Sequence, residues 1–319
     1  MGKNEIRGCL YILVGTTLWG FSTTVAKALF NAGISPFELV PIRLPIASAI
    51  LFVTLFFYDR KRILISPRDF LYFVLFGIFG VVGNQLCFYV TVSKIQVGPA
   101  VLIQYISVLW ITLFALFFQK EPLFKGTIAA LLLALLGCYL VVGGYRTDLL
   151  RLNKAGILIG FFSSFFVAFY ALYGEKGLKR YDAWTLLLYG FLFGGLFCWI
   201  AFPPVQVLTA GYPLKIWAAF FYIAIFATLI PFGLFFKGIE RIRATRASIT
   251  GTWEPVMSCI TAYVFLGEVL DPLQILGGLV VIAAVILLQL SKEKKEIRSP
   301  LEIRRDQPVS TKSHTPNLN

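Results

Sequence analysis

Long apolar runs separated by short polar gaps make up most of the chain, from residue 8 to residue 290. A transmembrane helix needs ~20 mostly apolar residues. Several gaps are too short to hold a separate soluble domain, which is typical of an up-and-down helical bundle. The pattern predicts an all-α integral membrane protein with ten transmembrane helices, at 8–30, 36–58, 70–93, 99–119, 124–144, 155–174, 183–202, 214–238, 246–266 and 272–290.

A weak internal repeat relates the two halves of the chain. A shift of 147 positions aligns Ala115 with Ala262 and Glu121 with Glu268. Each copy then contains five predicted spans, and because that number is odd, the second copy enters the membrane from the opposite side. We therefore expect two inverted five-helix repeats, a recurring design of secondary transporters.

The basic residues predict how the chain is oriented in the membrane. If the N-terminus is cytoplasmic, 21 Lys and Arg residues fall in cytoplasmic gaps and the tail, and five fall on the opposite side. Both termini are therefore expected in the cytoplasm. The expected units are a first repeat at 1–146, a second at 155–290, and a polar, charged tail at 291–319 that we expect to be disordered.

Composition narrows the function classes. The chain is 58% hydrophobic and 14% charged, whereas a soluble domain has about 25% charged residues. Its net charge of +13 comes mainly from residues in the gaps and the tail. This distribution is typical of charges that orient membrane helices, and not of a nucleic-acid-binding surface. The only histidine, His314, lies in the tail, and the five cysteines are scattered singly, so we expect neither a metal site nor a cofactor.

Several short motifs occur in a fixed order along nearly the whole chain. They are Trp19-Gly20, Pro36 with Arg43, Glu254-Pro255, Leu266-Gly267-Glu268 and Gln274-Ile275-Leu276-Gly277-Gly278. In this order the sequence resembles the drug/metabolite transporter superfamily, in particular its bacterial EamA-type exporters and permeases. The first half departs from the pattern, with Val108 at the position of Pro255 and Lys120 at that of Gly267.

The resemblance implies two five-helix repeats around a central cavity, and transport of amino acids or other metabolites, with export the expected direction. A membrane-embedded enzyme and a non-transporting scaffold are the alternatives. The chain has no P-loop, HExxH or GxSxG motif that would favour an enzyme. The expected location is the cell inner membrane, or plasma membrane.

Arg43 and Glu254 lie well inside predicted spans, where a charge costs ~2.5–3.5 kcal/mol on insertion scales. Arg43 can dock an anionic group of a substrate, or it can pair structurally with a carboxylate or with helix-end carbonyls. Glu254 precedes Pro255, which tends to kink a helix. Glu254 can couple proton movement to transport or bind a cationic group, and the alternative is that it neutralises Arg43 or hydrogen-bonds a neighbouring helix.

Neutral groups at membrane depth complete the predicted substrate site. Asn84, Gln85 and Gln104 offer hydrogen bonds to substrate or to other helices, and Trp19 and Tyr89 are candidate aromatic walls. The expected partners are a small-molecule substrate, the lipid bilayer and a coupling proton. A homodimer is a further option, because the Gly190–Gly194 pair can bring helices together within one chain or between two.

Overall fold

The computed structural model describes residues 3–95, 97–120, 124–146, 153–266, 271–290 and 298–306. Within these ranges the secondary structure is entirely helical. Glu121 and Glu268, which helped to define the sequence repeat, lie outside the described residues.

The described part of the first half contains seven α-helices and three short 3₁₀ turns, Arg60–Ile63, Pro67–Asp69 and Gly144–Arg146. The helices are α1 Lys3–Asn31, α2 Pro36–Tyr58, α3 Phe70–Leu75, α4 Asn84–Lys94, α5 Val97–Gln104, α6 Ser107–Phe117 and α7 Lys125–Val141.

The second half contains eight more helices, of which α10 and α15 are short. They are α8 Lys154–Leu178, α9 Ala183–Ala201, α10 Val205–Thr209, α11 Leu214–Tyr222, α12 Ile230–Gly251, α13 Trp253–Leu266, α14 Pro272–Leu290 and α15 Pro300–Asp306.

Seven helical segments of the described chain are long and apolar enough to cross a membrane. The protein is therefore membrane-embedded and multi-pass. These segments are Pro36–Tyr58, Pro67–Lys94, Val97–Phe117, Lys154–Leu178, Ala183–Ala201, Leu214–Gly251 and Pro272–Leu290.

The chain reverses direction inside the 38-residue segment Leu214–Gly251. Along α1, residues 8 to 19 contact residues 242 to 227, in opposite order. Residues 17 to 20 of α1 then contact residues 253 to 258 in the same order. The turn is at Arg243, whose φ of 66° and ψ of 167° are non-helical. This conformation favours glycine, and the side-chain bonds of Arg243 to Glu175 and Gln119 hold it in place.

Two of the spans change from α-helical to π-helical geometry for part of their length, at Phe76–Gly83 and at Ile223–Leu229. In a π-helix the backbone bonds from i to i+5, and such segments occur frequently at functional sites. The first leads directly into Asn84 and Gln85. In the second, Thr228 Oγ1 donates to Ile223 O at 2.9 Å, and Ala227 O is left to accept a bond from another helix.

Small residues allow the helices to pack closely. The main pairs are α1 with α12, α2 with α9, α4 with α8, and α7 with α14. A β-carbon placed on Gly77 would lie 2.8 Å from Gly194 N and 2.9 Å from Gly190 O. The Gly190–Gly194 pair therefore packs against the first π-helical segment of its own chain, and this surface is not free to form a homodimer.

One end of the bundle, which we name the basic end, is formed by Arg60–Ile63, residues 179–182, Arg243 and α15. Arg243 pairs there with Glu175 at 3.1 Å and donates to Gln119 at 2.6 Å. These bonds join α12 to α8 and to the end of α6.

Asp182 is a second centre of the basic end. Burial opposes its ionisation, but Lys237 and Arg62 pair with it and the backbone N–H of Trp184 donates to it. The result is a pKa below the ordinary value for aspartate.

The predicted disorder of the tail does not hold for residues 298–306. Helix α15 buries Pro300 and Leu301. Arg304 Nη1 lies 3.0 Å from Glu240 Oε1 and donates to Leu178 O at 3.2 Å. Composition alone predicted disorder because it cannot reveal that Arg304 meets a buried carboxylate and a helix-end carbonyl in the folded bundle.

Candidate functional site

A cavity of about 100 Å³ lies at the centre of the bundle. All seven residues of the predicted substrate site line it: Trp19, Arg43, Asn84, Gln85, Tyr89, Gln104 and Glu254. The remaining lining residues are Thr16, Ser22, Thr23, Phe88, Tyr105, Ser107, Val108, Ile111, Val167, Tyr170, Ala227, Phe232, Phe235, Ser248 and Gly251. The volume suits a small solute, since drug-sized sites usually have ~300–1,000 Å³.

Arg43 is the cation of the cavity and is 1% exposed. Its Nη1 donates to Tyr89 Oη at 2.6 Å, and its guanidinium carbon lies 4.5 Å from the centre of the Tyr89 ring. Its Nε has no hydrogen-bond partner. Among the described residues, no carboxylate forms an ion pair with Arg43, so the alternative of a structural Arg43–Glu254 pair has no support here.

Glu254 is the carboxyl group of the cavity and is 7% exposed. The Tyr105 hydroxyl lies 3.0 Å from Glu254 Oε2 and 2.7 Å from Gly251 O. Gly251 ends α12, and Glu254 is in the first turn of α13. The carboxyl therefore lies at a break between two helices and is bonded to Tyr105, the residue that follows α5.

The three amides form the polar side of the cavity. Gln104 Nε2 donates to Asn84 Oδ1 at 3.3 Å and to Ser163 Oγ at 3.4 Å. Gln85 is 3% exposed, and neither its Nε2 nor its Oε1 has a partner. A buried amide without partners costs free energy, so Gln85 offers both a donor and an acceptor to a bound molecule.

Aromatic side chains form the apolar side. Trp19 packs edge-on against Phe232, with ring centres 4.8 Å apart, and its Nε1 donates to Ala227 O at 3.2 Å. Tyr170 stacks on Phe76, and its buried hydroxyl has no partner. The cavity thus combines one cation, one carboxyl group, unpartnered neutral donors and acceptors, and aromatic walls.

Discontinuous helices border the cavity on two sides. Tyr105 and Ile106 separate α5 from α6, and Thr252 separates α12 from α13. Such breaks leave polar backbone groups near the middle of a membrane, and they are tolerated where they line a cavity.

Sequence reasoning missed four hydroxyl side chains of the cavity: Thr16, Ser22, Thr23 and Ser248. Their hydroxyl groups donate to carbonyls of the preceding helical turn, as Thr16 does to Ile12 O at 2.8 Å. Ser and Thr are common in membrane helices for this reason, so their presence gave no signal. The repeat shift of 147 positions places Ser107 opposite Glu254 in the alignment, and both residues line the cavity.

Known proteins resemble this chain over most of its length. The uncharacterized inner membrane transporter YicL of Salmonella typhimurium is 28% identical over 299 residues, 92% of this chain and 99% of the relative. The threonine/homoserine exporter RhtA of Escherichia coli is 24% identical over 283 residues, 88% of this chain and 90% of the relative. A solved crystal structure with 17% identity has a TM-score of 0.71 and covers 90% of this chain and 97% of its own.

The EamA-like transporter family matches residues 6–143 and, a second time, residues 154–290. The match covers both halves of the bundle and every residue that lines the central cavity. The chain belongs to the EamA-like transporter family.

Proposed function

We propose that this protein is a secondary transporter that exports a small metabolite, an amino acid or a related compound, through the central cavity. The observation that carries the proposal is a buried guanidinium without a carboxylate partner that faces the same enclosed space as a buried carboxyl group. Burying a charge is costly unless a partner compensates. A solute that brings the missing carboxylate would supply that partner.

The chemistry of the cavity favours a substrate with both signs of charge. Arg43 can bind a carboxylate, and Glu254 an ammonium group. Gln85 and Tyr170 add unpartnered groups for a polar side chain. The name of RhtA, a threonine/homoserine exporter, describes a substrate of this kind and the direction of transport.

Further features support ten spans in two inverted five-helix repeats. Shifting the π-helical segment Phe76–Gly83 by 147 positions gives 223–230, and the second segment is Ile223–Leu229. The same shift carries the α5–α6 break at 105–106 to 252–253, where Thr252 separates α12 from α13. Moving α4 forward by 147 positions places it on α12, and moving α8 back by the same number places it on α1. The α4–α8 contact therefore corresponds to the α12–α1 contact.

We further propose that both termini are cytoplasmic, so that the basic end faces the cytoplasm. The Arg62–Asp182 ion pair and the hydrogen bond from Arg243 to Gln119 join the two halves at this end. In a mechanism of alternating access the bonds would hold the cytoplasmic side closed in this conformation and separate when it opens. Because the two halves match, an exchange of their conformations would close the cavity on one side of the membrane and open it on the other.

Glu254 is the proposed site for the coupling proton. The Tyr105 hydroxyl has one proton and lies within hydrogen-bond distance of two oxygens, Gly251 O and Glu254 Oε2. If Tyr105 donates to Gly251, the contact with Glu254 is favourable only when Glu254 carries a proton and donates it to Tyr105. Loss of that proton would redirect the tyrosine, which links the charge of the cavity to the break between α12 and α13.

The same observations favour a transporter over an embedded enzyme or a scaffold, because the cavity encloses groups of both charges and unpartnered amide groups that can bind a solute. Counterflow in proteoliposomes tests the proposal. Vesicles of purified protein are loaded with one unlabelled amino acid at a time, and uptake of the labelled compound is measured. Saturable counterflow is expected for at least one compound, and it should be lost in Arg43→Ala. Absence of counterflow across a broad metabolite panel would contradict the proposal.

A further inference from the structure

An apolar groove lies on the outside of the bundle between α2 and α9. Its volume is about 370 Å³, larger than that of the central cavity. The wall is formed mainly by apolar side chains, among them Pro45, Ala49, Phe52, Ile63, Leu192 and Trp199. The groove therefore faces the hydrocarbon of the bilayer and is separate from the proposed path of the solute.

The polar groups around the groove are satisfied within the protein. Trp199 Nε1 donates to Pro41 O at 2.8 Å, and Tyr189 Oη donates to Ile63 O at 2.6 Å. The groove wall thus has few free hydrogen-bonding groups, which fits a hydrocarbon chain better than a polar ligand.

A row of aromatic rings connects the groove to a basic residue, Arg60. Phe52, in the groove wall, stacks on Phe56 with ring centres 6.1 Å apart. The guanidinium carbon of Arg60 lies 4.1 Å from the centre of the Phe56 ring. A cation therefore stands at the basic end of the groove, about where the hydrocarbon gives way to the lipid head groups.

Arg60 and the adjacent Lys61 are both exposed. Within the described part of the chain neither forms an ion pair, and Nε of Arg60 donates to Phe56 O. The nearest acid in sequence, Asp59, is already paired with Arg62 at 2.8 Å. Two cations are thus available at the mouth of the groove.

We propose that this groove binds an anionic phospholipid of the bilayer, with one acyl chain between α2 and α9 and its head group on Arg60 and Lys61. Basic residues at the cytoplasmic membrane surface attract anionic lipids, and a groove beside them converts that attraction into a defined site. The proposal does not depend on the transported solute, and its failure would leave the proposed transport function unchanged.

Native mass spectrometry of the full chain in detergent tests the site. The protein is titrated with phosphatidylglycerol and, separately, with phosphatidylcholine that has the same acyl chains. We expect phosphatidylglycerol to bind more tightly. Arg60→Gln and Lys61→Gln should each weaken its binding about fivefold. Lys125→Gln, which removes an exposed charge at the start of α7, is the matched control and should bind like the wild type.

A second variant tests the groove independently of charge. Ala49→Phe fills the groove from an exposed position, so the fold should tolerate it, and circular dichroism and gel filtration check that it does. We expect Ala49→Phe to reduce binding of phosphatidylglycerol although both cations remain. Equal binding of the two lipids by the wild type would overturn the proposed anionic head group. Unchanged binding by Ala49→Phe would overturn the proposed acyl-chain site.

Discussion

Replacement of Arg43 by lysine separates the charge of this residue from its shape. The lysine ammonium keeps the positive charge and can still donate to the Tyr89 hydroxyl, which now accepts from Arg43 Nη1 at 2.6 Å. It cannot reproduce the planar fork whose Nε is unpartnered in the cavity. If that fork binds a substrate carboxylate, the variant loses one charge-assisted hydrogen bond per bound molecule.

The size of the effect follows from the value of such a bond. A hydrogen bond to a charged group contributes ~1.5–3 kcal/mol, and 1.4 kcal/mol corresponds to a factor of ten. We expect Arg43→Lys to bind and transport the solute roughly 10- to 150-fold less well at low solute concentration. Arg43→Ala, which loses the charge as well, should have no measurable transport.

Counterflow in proteoliposomes measures the effect, normalised to the amount of folded protein in the vesicles. Arg246→Lys is the matched control. Arg246 is also a buried arginine, 5% exposed, but it donates to Leu288 O and lies outside the cavity lining. Its variant should transport within a few-fold of the wild type per folded molecule. Normal transport by correctly inserted Arg43→Lys and Arg43→Ala would refute the docking role of the guanidinium.

Three further predictions concern coupling, packing and topology. Glu254→Gln keeps shape but cannot titrate, so accumulation driven by a pH gradient should be lost while exchange is retained; unchanged accumulation and pH dependence would exclude it as the coupling site. Gly77→Ala places a β-carbon 2.8 Å from Gly194 N and should destabilise the protein by ~1–3 kcal/mol in thermal melts, whereas Gly278→Ala, with 3.7 Å to its nearest neighbour, should not. A reporter active only in the periplasm, fused after Leu290, should stay silent, and strong activity there would contradict the orientation.

Part of the candidate site was predictable from the sequence, because burying an ionisable or amide side chain inside a membrane span costs free energy. Arg43, Glu254 and Gln85 were identifiable because nothing else in an apolar span accounts for an ionisable group or an amide. Thr16 and Ser248 were not, since a hydroxyl can bond to its own helix and costs little in lipid.

The fold was predictable at the level of spans and less so in its irregular parts. Apolar length predicts a helix, but the sequences of the two π-helical segments contain no feature that distinguishes π from α geometry. The reversal at Arg243 occupies a position where glycine or a longer loop would be expected. It depends on the bonds of Arg243 to Glu175 and Gln119, which are distant in sequence and meet only in the folded bundle.

If a solute reaches one cavity from alternate sides of the membrane, Ser107 should be accessible from each side in turn. Ser107 lines the cavity and is 3% exposed. In a variant whose five native cysteines are replaced, Ser107→Cys can be labelled with a membrane-impermeant thiol reagent applied to either side of the vesicles. Alternating access predicts labelling from both sides, slowed by the solute that shows counterflow. Labelling from one side only under all conditions, unaffected by that solute, would contradict it.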